Sequence, residues 1–347
     1  MSRSTNLIVP EVTTAESLRV LQENVAVFNE ASGGAIVVDF DKTYLEANGG
    51  DHVEPIQFAR PSSVDSHVDE ASPTDDATFA TLAHAKGATV FQARRGALEY
   101  TRDELMRGKF TQADYSLAIG QVLAEERLVA LRNCLLGMGV AAVDSMDTTD
   151  GSTVSANIHI VDAGTGQTAG SKTKFSYSRM NTLLNKMGDA RDKIAALVMH
   201  SAVAHDLIAD GLSNYSFDKV AGMLVYSDIP AAMGRKLIVV DSSELYSALT
   251  SSYYSEYYVL GLAQGALRAT IISEDQVDED TVISKKVKKW QFRQDYDVEF
   301  AVQGMKWTTA GTNVNPTDAE LKTAARWDEN YSDHREAGII KGIYNAT

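Results

Sequence analysis

One run of residues constrains everything around it. From 111 to 138, TQADYSLAIGQVLAEERLVALRNCLLGM keeps Leu117, Ala124, Leu128, Leu131, Leu135 and Met138 at helical spacing. Apolar side chains recurring in this way share one face of a helix. Thr111 and Asp114 stand where an N-terminal cap is expected, and Glu125, Glu126 and Arg132 fall largely off the apolar face. At 1.5 Å per residue the helix spans roughly 40 Å, longer than a small domain is wide. The rest of the chain must therefore be arranged along it. Cys134, the only cysteine, sits among its leucines and reads as a buried structural thiol with no disulfide partner in the chain.

On either side of this helix the pattern changes. Residues 14–31 form an amphipathic helix through Leu18, Leu21, Val25 and Phe28, closed by Gly33 and Gly34 after a polar N-terminal arm. From 35 to about 92, short β-like runs (AIVVDF, PIQFA, ATVFQA) alternate with acidic segments, a stretch with too few apolar residues for its own core. Gly, Ser and Thr-rich strands lead to about 175. Two helices are then expected, SYSRMNTLLNKMGD and ARDKIAALVMHSAVAHDLIADG. A β-rich stretch with KLIVVDSS, a tyrosine-rich apolar segment, two long alternating strands over TVISKKVKKWQFRQDYDVEFAVQGMKW and a polar tail complete the chain. No internal repeat is apparent.

Three stretches imitate catalytic sites. ALVMHSAVAHDLI brings together His200, Ser201, His205 and Asp206, but on one helix the two histidines lie five residues apart, about 140° around the axis, where they cannot share a metal. Ser201 lacks the glycine-flanked elbow of a serine nucleophile. IHIVDAGTGQTAGSKT imitates a phosphate-binding loop through Gly164, Gly166, Gly170, Lys172 and Thr173, with LIVVD ending at Asp241 as its acidic partner. Ser171 separates the glycine from the lysine, and KTKFSYS favours strand over helix, so a glycine-rich turn is the better reading. AIVVDFDKT has the D-x-D-x-T spacing of a phosphatase loop, with Asp39 as nucleophile and Asp41 as general acid. It lacks the βα alternation and the later acid pair; Ile36, Val38 and Phe40 on one side and Val37, Asp39 and Asp41 on the other read as an alternating strand. The expectation is no enzyme, no cofactor and no metal, with a P-loop-like or phosphatase-like enzyme as the alternative.

The 347 residues, 44% hydrophobic and 23% charged, suit one large or two to three modest domains. No run of 18 apolar residues and no basic, apolar leader appears, which points to a soluble, cytoplasmically made chain with no membrane contact. The net charge of −15 argues against a phosphate-gripping surface. Against it stands one basic run, Lys285, Lys286, Lys288, Lys289 and Arg293, read as a solvated strand face, a nucleic-acid strand, or a surface meeting the acidic residues 65–76 of a neighbouring copy.

The order of arm, short helix, extended β-segment, long helix, αβ body and returning strands resembles the major capsid proteins of tailed bacteriophages. ATVFQARRGALEYTRDEL before the long helix, IAALVMHSAVAHDLIADGL, GRKLIVVDSSEL and the closing VQGMKW carry the resemblance, over roughly residues 85–307. It implies an α+β, Hong Kong 97-type fold: arm and helix at 1–34, extended β-loop at 35–92, spine helix and peripheral-domain strands at 93–175, axial domain at 176–275, returning peripheral strands at 276–310 and a tail at 311–347. It implies self-assembly as hexamers and pentamers into an icosahedral shell around double-stranded DNA, held without sequence-specific binding. The other partners it implies are a portal protein and scaffolding and decoration proteins, with assembly in the host cytoplasm and residence in the virion. Intersubunit contacts are then expected at Asp65, Asp69, Glu70, Asp75 and Asp76, at Lys285, Lys286, Lys288, Lys289 and Arg293, and at Tyr253 and Tyr257. No crosslinking residue and no protease-cleaved scaffold domain can be carried over.

Overall fold

The computed structural model describes residues 8–40, 56–58, 84–86, 89–101, 111–146, 159–163, 173–209, 217–220, 223–226, 234–248, 254–284, 287–308, 315–330 and 336–346. Helix α1 (Pro10–Ala31) precedes strands β1 (Ile36–Phe40), β2 (Ile56–Phe58), β3 (His84–Lys86) and β4 (Val90–Thr101). The long helix α2 (Gln112–Met146), β5 (Ile160–Asp162) and α3 (Tyr177–Leu184) follow. A 3₁₀ stretch (Asn185–Lys193) leads to β6 (Ile194–Met199), α4 (Ser201–Ala209), β7 (Phe217–Val220), β8 (Met223–Tyr226), β9 (Lys236–Val239) and β10 (Tyr246–Ser247). The chain ends through β11 (Glu256–Ala263), β12 (Leu267–Glu274), β13 (Asp278–Ser284), β14 (Val287–Val302), β15 (Met305–Trp307), helix α5 (Asp318–Leu321), β16 (Trp327–Glu329) and β17 (Ile339–Tyr344).

Two sheets organise these elements. In the first, β14 pairs along one side with β13 and then β12, and along the other with β4 throughout; β1 adds in parallel to β12. Alternation decides its faces: Phe292, Gln294, Tyr296, Val298 and Phe300 are buried, while Gln291 and Arg293 are exposed. The buried face meets α1 and α2, where Leu21, Phe28, Leu128, Leu131, Leu135, Val298 and Phe300 form one core. The second sheet has the order β5-β17-β11-β6-β9-β8-β7, with β10 beside β11. Met180, Leu183, Met187, Met199, Val203 and Tyr344 fill a second core there. Helices with mostly antiparallel sheets make the fold α+β, as expected.

Helix α2 begins where its cap was expected: Asp114 Oδ2 accepts from the Thr111 N–H at 2.9 Å, and Thr111 Oγ1 accepts from the Asp114 N–H at 3.3 Å. It runs beyond Met138 to Met146, because Gly137 and Gly139 are packing positions, not stop signals. A methyl group on Gly137 would lie 2.8 Å from Lys322 Cγ, and one on Gly139 3.3 Å from Leu267 Cδ1. Burial explains its apolar composition: 72% of its most apolar window lies inside the fold. Helix α1 lies alongside in the same direction, from the Val9 N–H on Ser116 Oγ (2.9 Å) to Gln121 Nε2 on Glu16 Oε1 (3.1 Å). Gly120 marks their closest approach, since a Cβ there would lie 2.7 Å from the Thr13 carbonyl oxygen.

Four readings need correction. Residues 190–211 are not one helix: Ile194–Met199 is a strand between β9 and β11, followed by α4. IAALVM is apolar throughout because both faces of that strand are covered, and a short unbroken apolar run does not distinguish strand from helix. Gly188–Asp192 consequently lies in the 3₁₀ stretch and not between two helices. On α2, Leu117 is 40% exposed and Arg132 only 5%, the reverse of their expected placement. Finally, the polar tail returns to the core, because every residue of β17 is buried between β5 and β11.

Candidate functional site

The cluster around His200 is a helix terminus. His200 precedes α4, and its Nδ1 accepts the Ala202 N–H at 3.2 Å. Its Nε2 lies 3.6 Å from Asp241 Oδ1, which also accepts the Ser201 N–H at 3.2 Å. The Ser201 hydroxyl hydrogen-bonds the same carboxylate and, with the backbone bond and nearby His200, holds its pKa below the ordinary aspartate range. A catalytic triad places histidine between serine and carboxylate. Here serine and histidine both address the carboxylate, so the group closes the helix and generates no nucleophile. His205 is exposed and Asp206 is buried, 3.7 Å from Lys174 Nζ. Ser201 is the first residue of α4 and not a mid-helix residue.

The two phosphate-type readings fare similarly. Asp39 lies on β1 with Arg268 3.1 Å away, an ion pair within one sheet, whereas Asp41 lies outside the described residues. Gly164, Gly166, Gly170, Ser171 and Lys172 also lie outside them, and Asp241 is engaged at α4 as above. Cys134 is 2% exposed, and burial pushes its thiol up to about 11, as a structural thiol requires. Among the described residues no group of three or more histidine, cysteine or carboxylate side chains is placed to hold a metal.

The outer face of the first sheet is a polar surface with defined geometry. Lys289 pairs with Glu99, which Gln291 Nε2 also reaches at 2.8 Å. Arg293 pairs with Asp295, and Arg95 Nε reaches the same carboxylate at 2.7 Å. The Arg293 hydrogen bonds, followed by those of Arg95, hold the Asp295 carboxyl well below the usual range. Beside them opens a cleft of about 420 Å³ lined by Arg94, Arg95, Asp275, Asp295, Asp297 and Asn315, among others. Lys289 and Arg293 thus meet acids of their own sheet. Lys285 and Lys286 lie outside the described residues, as do Asp65, Asp69, Glu70, Asp75 and Asp76, and of Lys288 only the backbone, in β14, is described.

A second surface lies at the end of the other sheet. Tyr257, half-buried at the start of β11, packs 5.0 Å from the ring of Tyr246 and 5.1 Å from that of His200. Tyr246 is 36% exposed; Tyr253 lies outside the described residues. The tyrosine cluster marks Tyr257 in the sequence, but not its packing on Tyr246 and His200, nor the place of Arg95 beside Asp295.

No curated protein matches this chain. The capsid of Ralstonia phage GP4 superposes with a TM-score of 0.50 at 9% identity, over 90% of this chain and 87% of that one. The cyanophage Pam1 capsid asymmetric unit gives 0.49 at 12% identity over 90% and 88%, and the acidic stable capsid of Helicobacter pylori bacteriophage KHP30 gives 0.49 at 10% over 90% and 88%. The first of these gives the fold, a phage-capsid fold of Hong Kong 97 type. The Gp13-like family, Major capsid protein 13-like, matches residues 7–340, and the chain belongs to that family: it is a structural capsid protein of a bacteriophage virion.

Proposed function

We propose that this capsid protein assembles as hexamers and pentamers into a closed icosahedral shell around the double-stranded DNA of a tailed phage, within the host cytoplasm. The observation that carries this reading is the family match over residues 7–340. Within the extended segment 35–92, the acidic part that lies in sequence between the core strands β1 and β4 serves as a loop laid on a neighbouring copy, with Asp65, Asp69, Glu70, Asp75 and Asp76 meeting the basic strand residues Lys285, Lys286, Lys288, Lys289 and Arg293. Tyr253 and Tyr257 contribute contact area in the axial domain at 176–275. The arm at 1–34, the spine and peripheral strands at 93–175 and 276–310, and the tail at 311–347 complete the division. A portal protein and separate scaffolding and decoration proteins are its further partners.

A net charge of −15 supports a wall that holds DNA without adhering to it. The reading includes no catalytic activity: Asp241, the acidic partner of the phosphate-loop reading, is occupied at α4. Negative-stain images of the purified protein test the proposal. Closed shells or rings are expected; a discrete monomer that binds Mg-ATP in titration calorimetry would overturn it.

A further inference from the structure

An antiparallel strand turns its backbone groups alternately toward and away from its neighbour. In β4 the Ala93 N–H points away from β14, donating to Asn315 Oδ1 at 3.0 Å. By alternation, Arg95, Ala97 and Glu99 also point their N–H and C=O groups outward, while Gly96 and Leu98 bond to β14. Residues 315–318 cover the first part of this edge, through Asn315 on Ala93 and through Pro316 and Asp318 on Gln92 and Arg94. Among the described residues nothing covers the edge at Arg95, Ala97 and Glu99, all of which are exposed.

The other edges of this sheet are guarded. The Asn29 amide closes β1, donating to the Val38 carbonyl at 2.8 Å and accepting the Val38 N–H at 2.9 Å. Strand β13 carries the exposed carboxylates Asp278 and Asp280, and charged side chains along an edge discourage pairing. β4 has no such guard. Its Arg95 and Glu99 are neutralised within the sheet by Asp295 and Lys289, and between them lie only Gly96, Ala97 and Leu98.

We infer that the open edge of β4 at Arg95–Glu99 is a docking site for an extended strand from a second copy of this chain, which lengthens the sheet across the subunit boundary. An edge without repelling charge invites main-chain pairing, and in a shell of identical subunits the neighbour is another copy. The inference rests on the shell reading above.

Ala97→Pro tests it. Proline removes the outward N–H and breaks no bond to β14, since edge strands accept proline where the N–H faces outward. Ala97→Ser keeps the N–H. Wild type and Ala97→Ser are expected to form particles, and Ala97→Pro to give soluble subunits with wild-type circular dichroism and no particles. Particles from Ala97→Pro would overturn the inference alone; no particles from the wild type would overturn the shell reading with it. Hydrogen exchange on the wild type decides the matter if Ala97→Pro fails to fold. The amides of Arg95, Ala97 and Glu99 should exchange more slowly in particles than in dissociated subunits, and equal rates would reject the docked strand.

Discussion

Lys341 on β17 and Asp144 near the end of α2 form an ion pair of 2.5 Å between elements 197 residues apart in the chain. Lys341 is 3% exposed, and its ammonium also lies 4.4 Å from the centre of the Tyr258 ring. Removing the half-exposed Asp144 leaves the buried Lys341 ammonium without its carboxylate, which costs up to about 3 kcal/mol. Asp144→Ala should therefore lower the urea midpoint of the soluble subunit sharply. Adding Lys341→Met removes the stranded charge and should recover most of the loss. A double variant no more stable than Asp144→Ala would mean that the pair does not carry this burial.

Gly120 and Gly137 separate helix propensity from packing. Alanine is favoured over glycine within a helix by about 1 kcal/mol. At Gly120 the new methyl meets the Thr13 carbonyl oxygen at 2.7 Å, a backbone atom that moves only with α1. At Gly137 it meets the flexible Lys322 side chain. Gly120→Ala should lower the melting temperature, and Gly137→Ala should leave it unchanged or raise it slightly. The opposite order would place the tight helix contact elsewhere.

The parts of the fold legible in the sequence are those whose pattern is set locally. Thr111 and Asp114 mark the start of α2, and the residues of β14 alternate because only one face meets the core. Where a partner distant in sequence decides the outcome, the local pattern misleads. Ile194–Met199 looked helical because both of its faces are buried, Ala196 and Val198 in one core and Leu197 and Met199 in the other. Arg132 read as a surface residue, although it is buried beside Asn133. The basic run at 285–293 was visible as composition, but not the pairing of Lys289 with Glu99 or of Arg293 with Asp295.

The shared carboxylate of Asp295 has a predictable acid response. Its pKa is lowered in the fold, so its stabilising contribution is present above the unfolded value, about 4. That contribution is lost as pH falls through the lower folded value. The pairs lie at the surface and are worth less than about 1 kcal/mol. Asp295→Asn should be slightly less stable than wild type at pH 7, with a gap that narrows under strong acid. A gap constant from pH 7 to pH 2 would show that the carboxylate charge contributes nothing.

Leu128 and Glu126 test which face of α2 is the core. Leu128 is 1% exposed and packs with Leu131 and Leu135, whereas Glu126 is exposed. An unpaired carboxylate at 128 costs several kcal/mol, enough to prevent folding of a marginally stable chain. Leu128→Asp should be insoluble on expression, and Glu126→Ala should be soluble and fold normally. The reverse outcome would reject this orientation of the helix.

Residues 62–76 contain five carboxylates and, as apolar residues, only Val64, Val68 and Ala71, with Pro61 and Pro73 interrupting any regular ladder. Such a segment has little to add to a core, so under the proposed function its place is between subunits. Its deletion should leave a soluble body whose circular dichroism and urea midpoint match those of wild type, because so few apolar side chains are removed. Sedimentation should then show subunits or small oligomers in place of shells, since contacts to the basic strand of the neighbour are gone. Salt offers an independent check. Exposed pairs between copies are screened as ionic strength rises, so wild-type shells should loosen in high salt toward the behaviour of the deletion. If the deletion unfolds, the segment belongs to the core; if shells form normally without it, the acidic loop makes no contact that assembly requires.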